Sequence, residues 1–542
     1  RMDTVLVRYI LMSRFADLIE SWRGSGEAVI DDVEEGGPTT DEVTEELYEM
    51  SISAVEANAS LLTKIAWFLI FNAPPTLLVI DEAHHTPASS FIAAIMSLPK
   101  TAVLGMSATP YRGDKMDQLI YGLAGSIVAR VSSSELILNN YLSLPVIVVD
   151  RYDISRDNPE LYEQYDKTSK GIDVLLNAIA TQDAEKIIAS VRSLGDTISK
   201  ILTGMDWDYV YNNLLQRKEV EDFIDEILSL TRERSEAMRT SQVFKAAAAA
   251  RSISQKIKRL KDRLIAIAAS ALGVDISSRE PIGLRTPREW MSTLVELFIV
   301  RLVLDRFGIE EGVARTAVSR LKAHLKYVKT SLAVNAIVFN NKRTEHILSV
   351  VRTAIESRLW PVVVMSTYVK YAEILYKTFK DAGIPTGLVT GRTAVYFDGR
   401  EERRVGTARR HEIYKMVRER RLQVLIGTTL LDEGIDIPEI VALLLAYAYK
   451  SVVGTKQRVG RALRSIMASQ ENPNFFKPFA LIVDMQDSHV RVTPSNCRIW
   501  WYCSEPLWIK TRAYYTAVPN LIRDLAKVGE SAMGMPPSQK IC

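Results

Sequence analysis

Runs of four to six aliphatic residues recur along this chain, each cut off by small, polar or charged residues and separated by stretches of helical spacing. Leu77–Ile80 is the plainest: LLVI gives way at once to Asp81, Glu82, His84 and His85. A run with no polar alternation predicts a strand covered on both faces, and parallel strands of that kind carry their chemistry at their carboxyl ends. Ala102–Met106 repeats the pattern and ends at Ser107-Ala108-Thr109-Pro110, and a third run closes at Asp150. Further upstream, Thr4–Val7 reads as a strand leading into an amphipathic helix that ends at Trp22, and 53–71 as a helix followed by a strand. From about 156 to 335 helical periodicity takes over; Ile253, Ile257, Leu260, Leu264 and Ile267 mark one side of a helix. After Asn341-Lys342 the alternation returns. Strands are expected at 362–365, up to Thr390, at 423–427, 441–446 and 479–484, with helices running to Ala382 and over 407–421. The pattern predicts an α/β protein with two parallel-sheet domains and an all-α insertion between them. The expected boundaries are 1–155, 156–335, 336–490 and an aromatic-rich extension, 491–542.

Composition changes this picture little. A net charge of +3 names no class of partner, and 47% hydrophobic residues suffice for more than one core. Three cysteines form neither a disulfide framework nor a zinc pattern, and no apolar run reaches the roughly 18 residues that span a bilayer. The expectation is a soluble protein of the reducing cytoplasm with no membrane partner. Local charge is more informative. Residues 27–49 hold ten acids and no Lys or Arg, which predicts a solvated loop. Between Arg232 and Arg263 ten basic residues face three acids, and Arg315, Arg320, Lys322, Lys326 and Lys329 follow without an acid among them. One such helix is an ordinary solvated face. Two favour phosphate contact, with Lys256, Lys258, Arg259 and Lys261 as the candidates. The aromatics of the tail, Trp500, Trp501, Tyr502, Trp508, Tyr514 and Tyr515, are expected to pack against a neighbouring domain rather than stack on bases.

Two carboxylates at a strand end suit phosphoryl transfer to water: one holds Mg²⁺ and the other orients and deprotonates the attacking water. Taken alone the pair is a weak signal. Its neighbours make it specific, because VIDEAHH at 79–85 and SATP at 107–110 resemble motifs II and III of the superfamily 2 helicases and translocases. GTTLLDEGIDIPE at 427–439 resembles motif V, and QRVGRALR at 457–464 resembles motif VI. The resemblance implies two RecA-like domains that hydrolyse ATP with Mg²⁺ between them. Carried over, it makes Asp81 the Mg²⁺ ligand, Glu82 the activator of water, and Arg461 and Arg464 the guanidinium groups that neutralise charge on the γ-phosphate. His84, Ser107 and Thr109 would couple the nucleotide to the nucleic-acid path, with Gln457, Gly434 and Asp436 also at the nucleotide. Thr367, Thr390, Thr428 and Thr429, at strand ends, would contact the phosphate backbone.

One departure stands against these matches: the 542 residues contain no Gly-Lys dipeptide, so the phosphate-cradling motif is absent. TVLVRYILMSRF resembles the strand and helix that follow that motif in the family, and the expectation is that the chain begins just after it. The alternative is a degenerate, non-catalytic subunit that binds nucleic acid or serves assembly. YRGD at 111–114 is similar to the XPB-like and restriction-type branches, whereas a large helical insertion is similar to the Hef and RIG-I-like group. Both imply engagement of duplex or forked DNA, with RNA as the other candidate substrate. A protein partner such as a nuclease subunit is a further expectation.

Overall fold

A computed structural model of the chain describes residues 77–87, 91–92, 95, 102–107, 117–237, 243–309, 312–406, 409–428, 437–447, 459–460, 462–465, 477, 479–490 and 495–533. The expected strand and helix before Trp22, the acidic stretch 27–49 and the elements at 53–71 lie outside the described residues. The chain divides into two compact units, Arg1–Leu138 with Ser451–Gly460, and Asn139–Lys450 with Arg461–Cys542.

In the first unit β1 (Leu77–Ile80) and β2 (Ala102–Gly105) pair in parallel, Leu77 opposite Ala102 and Ile80 opposite Gly105. Two helices follow, α1 (Asp117–Ala124) and α2 (Ser133–Leu138). Gly105 sits where a Cβ would come within 2.9 Å of the Ala83 methyl and 3.0 Å of the Ala124 methyl. That contact is too close for any larger residue, so the end of β2 packs tightly under the turn that follows β1.

The second unit opens with β3 (Leu144–Asp153), in which Pro145–Asp150 are buried. Its helical block comprises α3 (Ile154–Asp157), α4 (Pro159–Thr181), α5 (Ala184–Thr203), α6 (Trp207–Leu215), α7 (Lys218–Ala237), α8 (Val243–Ala271), α9 (Pro287–Phe307) and α10 (Gly312–Val338). Local signals set several of these ends. Asn158 caps α4 ahead of Pro159, and Thr286 with Glu289 forms a capping box ahead of Pro287 in α9. Helix α9 is apolar nearly all round and lies buried, as such a helix must. On α8 the expected seam is inside: Ile253, Ile257, Leu260 and Leu264 are buried and Ile267 packs against them.

The chain returns to the sheet through α11 (Asn341–Glu356), β4 (Val362–Ser366), α12 (Val369–Asp381), β5 (Thr386–Val389), β6 (Ala394–Phe397) and β7 (Glu402–Val405). Then come α13 (His411–Arg418), β8 (Val424–Gly427), β9 (Ala442–Tyr447), β10 (Phe479–Ser488), α14 (Ser495–Ser504), β11 (Ile509–Tyr514) and α15 (Val518–Met533). The nine strands run in the order β11-β3-β10-β9-β4-β8-β5-β6-β7. All pairs are parallel except β5–β6 and β6–β7. The architecture is therefore α/β with a large, mostly parallel sheet.

Three expectations need correction. The run ending at Asp150, expected to close the first domain, is a strand of the second unit one in from the sheet edge, with Leu144 opposite Phe479 of β10 and Val146 opposite Ile509 of β11. An apolar run fits any parallel sheet equally well, so the pattern could not say which. For the same reason the tail is no appendage: β11 is an edge strand of this sheet, while Trp501, Tyr502 and Trp508 are buried. The helix expected over 407–421 is shorter, and the β6–β7 hairpin before it was not foreseen. Its turn has a legible signal in Asp398-Gly399: the Asp398 carboxylate accepts from the Arg400 and Glu401 amides, and Gly399 takes φ 99°.

A buried guanidinium ties α11 to α12 and to the sheet. Arg343, in the first turn of α11, donates from Nε to Asp487 Oδ1 at 2.6 Å and from Nη2 to Oδ2 at 2.9 Å. Its Nη1 reaches the Tyr371 hydroxyl and its Nη2 the Ala446 carbonyl, both at 2.7 Å. Burial alone would lower the Arg343 pKa; Asp487 and Tyr371 reverse that and hold it above its ordinary value.

Candidate functional site

In the first unit the end of β1 is fixed by β2. Met106 N donates to Ile80 O at 2.8 Å and Ala83 N to Met106 O at 2.9 Å, which carries the ladder past both strands. Between those bonds Asp81 stands exposed and Glu82 adopts the left-handed backbone, φ 51° and ψ 48°. Such a conformation is costly for a residue with a side chain and is held here by the flanking hydrogen bonds. Asp81 Oδ1 accepts from the Glu82 amide at 2.8 Å. The next residues turn into a short 3-10 helix, Ala83–His85, that buries His84. His84 Nδ1 lies 3.0 Å from Ser107 Oγ and 3.3 Å from Glu82 Oε2. The structure thus brings together Glu82, His84 and Ser107, with Asp81 beside them. Thr109 lies outside the described residues.

A magnesium ion keeps several waters and takes one or two protein carboxylates. Exposed Asp81, with one oxygen engaged by a backbone amide, fits that role. Among the described residues no group of three or more His, Cys, Asp or Glu forms a fuller metal cage.

In the second unit Arg464 is exposed, and its backbone is held firmly. It bridges to Leu142, Ser143 N donates to Leu463 O at 2.7 Å, and Ser465 N donates to Tyr141 O at 3.3 Å. Arg461, Gln457, Gly434, Asp436 and Thr429 lie outside the described residues. The threonines at strand ends are less available than expected. Thr390 is buried and its hydroxyl accepts from the Thr393 amide at 2.9 Å, shaping the turn that presents Arg392. Thr428 is buried too, while Thr367 donates to Tyr447 O at 3.2 Å. Sequence reasoning missed Lys477, which is 3% exposed. Its amino group donates to the carbonyls of Ala462, Arg464 (3.1 Å) and Pro438 (3.4 Å). Burial pushes this lysine down to about 7, with Glu439 pulling the other way. No periodicity signals a buried lysine, and its place in the sequence, after both motif-like segments, gives no hint of it.

On the helical block the basic candidates separate. Lys256, Lys258 and Arg259 are exposed on the side of α8 opposite its buried seam, and Lys322 and Lys326 are exposed on α10. Lys261 is a correction. It pairs with Glu296 of α9, the two side chains only 18% and 13% exposed, and Arg320 approaches the same carboxylate at 4.0 Å. Burial would raise the Glu296 pKa, but Lys261 and Arg320 hold it below its ordinary value. One turn of α8 beyond Ile257, position 261 has rotated from the outer face towards α9, which a count of basic residues does not register.

Comparisons with known proteins bear on these segments. Residues 342–465 match the family model described as Helicase conserved C-terminal domain, and residues 37–112 match Type III restriction enzyme, res subunit. Over these two segments the chain is similar to helicase families. A viral protein named "Putative helicase 22", from Sulfolobus islandicus filamentous virus (isolate Iceland/Hveragerdi), is 43% identical over 74 residues. Those residues are 14% of this chain and 13% of that protein, so the match spans a small part of either. Among solved structures, the Pyrococcus furiosus Hef helicase domain is 13% identical over 90% of this chain and 85% of that one, with a TM-score of 0.33. The C-terminal domain of the DEAD-box protein Dbp5 is 15% identical over 32% of this chain and 90% of that one, with a TM-score of 0.23.

Proposed function

We propose that this chain is a superfamily 2 helicase, a nucleic-acid-dependent ATPase that translocates on or unwinds duplex DNA. The observation that supports it most is the contact set at the end of β1, where Glu82 and Ser107 meet on His84. A carboxylate oriented by a buried imidazole is placed to accept a proton from water, and Ser107 gives the same imidazole a link to the end of β2. Asp81 would hold Mg²⁺, which neutralises phosphate charge when bound. Arg461 and Arg464 supply the guanidinium charge, and Lys256, Lys258 and Arg259 grip the duplex backbone. The test is Glu82→Gln in the full-length protein. DNA-stimulated phosphate release is expected to fall by about 10²–10⁴-fold while duplex binding persists. Undiminished release overturns the role of Glu82, and stimulation by RNA alone overturns the choice of DNA. The missing Gly-Lys favours a second reading, a non-catalytic binding subunit; wild-type protein that binds duplex without any ATP turnover would establish it.

A further inference from the structure

Two segments that resemble helicase motifs end within reach of one side chain. The segment 427–439 finishes at Pro438-Glu439, and the segment 457–464 at Arg464. Lys477, just ahead of β10, donates to the carbonyl of Pro438 from the first and to those of Ala462 and Arg464 from the second. Ala462 follows Arg461 directly, so two of the three acceptors belong to the backbone that bears the arginine pair. A lysine buried to this degree loses its hydration, and the carbonyls take the place of water as acceptors for its N–H groups. Glu439 adds the nearest opposite charge; its Oε2 is buried with no hydrogen-bond partner among the described residues. The same backbone is also bridged by Tyr141–Ser143. The amino group adds to these contacts and shares the Arg464 carbonyl with the Ser143 hydroxyl.

We propose that Lys477 is a positioning residue for Arg464, holding the peptide of residues 462–464 against the segment ending at Glu439. It touches no substrate and acts through the main chain of residues 462–464. This inference rests on the proposed ATP hydrolysis.

The experiment compares full-length wild-type protein with Lys477→Met, a side chain of similar length without donors. Two readouts are needed: DNA-stimulated ATP turnover, and amide hydrogen exchange. In Lys477→Met, kcat is expected to fall about 10²-fold, as for a misplaced reacting group. KM for ATP should stay within about threefold. Exchange at residues 462–465 should speed by about tenfold or more, with residues 481–484 of β10 unchanged. Unchanged exchange at 462–465 overturns the tether, and faster exchange there with unchanged kcat overturns the positioning role. If Lys477→Met does not fold, Lys477→Gln, which keeps two N–H donors, serves instead and is expected to show the same changes at smaller size. Wild-type protein without ATP turnover removes the proposed function and the positioning role with it, whereas the exchange measurement still reports on the tether, so the two failures are told apart.

Discussion

Replacing Arg343 by methionine is expected to be among the most destabilising single changes in the second unit. The guanidinium and Asp487 are 1% and 6% exposed, and two hydrogen bonds join them. Methionine fills much of the space and removes the charge, which leaves the Asp487 carboxylate buried without its partner. Breaking a buried pair from one side costs about 3–5 kcal/mol, a large share of the 5–15 kcal/mol that holds a typical domain together. The Tyr371 hydroxyl and the Ala446 carbonyl also lose their partner, so the upper part of that range is the expected result. With a urea m-value of about 2 kcal/mol/M, the midpoint should fall by about 1.5–2.5 M, followed by tryptophan fluorescence. The double variant Arg343→Met, Asp487→Leu removes both charges and should recover at least about 2 kcal/mol, since an apolar pair at such a site is often as stable as the ionic one. A single variant that loses less than about 1 kcal/mol, or a double variant no better than the single, refutes the reasoning.

The basic helices give a paired comparison. Lys256→Glu, Lys258→Glu and Arg259→Glu together should weaken duplex binding and lower the slope of log K against log salt by about 2–3, with little change in thermal stability. Lys261→Glu should instead lower stability by about 3–5 kcal/mol, because it sets a second carboxylate against buried Glu296; equal effects on the salt slope would contradict this division. Lys477 also sets a pH dependence. Its native pKa is held at about 7, chiefly by burial, whereas the unfolded residue keeps its proton to about 10.4, so the unfolded state binds more protons between those values. This group's contribution is least favourable below pH 7 and improves as pH rises, by up to about 1.4 kcal/mol per unit. Lys477→Met should flatten the rise of the urea midpoint between pH 7 and 9, and an unaltered curve would show that the group is not held in its neutral form.

What the sequence made legible was local. LLVI followed by Asp-Glu marked a strand end, and β1 with Asp81 and Glu82 lies there, although Leu77 and Val79 are exposed rather than covered as the unbroken apolar run predicts. The α8 seam was legible from spacing alone. What was not legible depends on pairing at a distance. The aliphatic run at 146–149 carries no mark of its partners, so its place between β10 and β11 was hidden until the sheet was seen. Lys261 and Lys256 differ by five residues and by nothing in chemistry, yet the helix turns one towards Glu296 and the other outwards. The threonines were placed by strand ends, but Thr390 is consumed by its own turn, a competition between local and intermolecular hydrogen bonds that residue type does not resolve.

The placement of β3 has a consequence for synthesis of the chain. Its neighbours β10 and β11 lie about 330 and 360 residues downstream, so at about 5–20 residues per second the ribosome takes roughly 15–70 s to deliver the first of them. The helical block, built from local contacts, can form during that wait, whereas β3 presents an unpaired apolar edge throughout. A nascent or truncated chain ending before Phe479 therefore lacks both partners for Val146–Val149, and premature termination anywhere in that window should yield insoluble product.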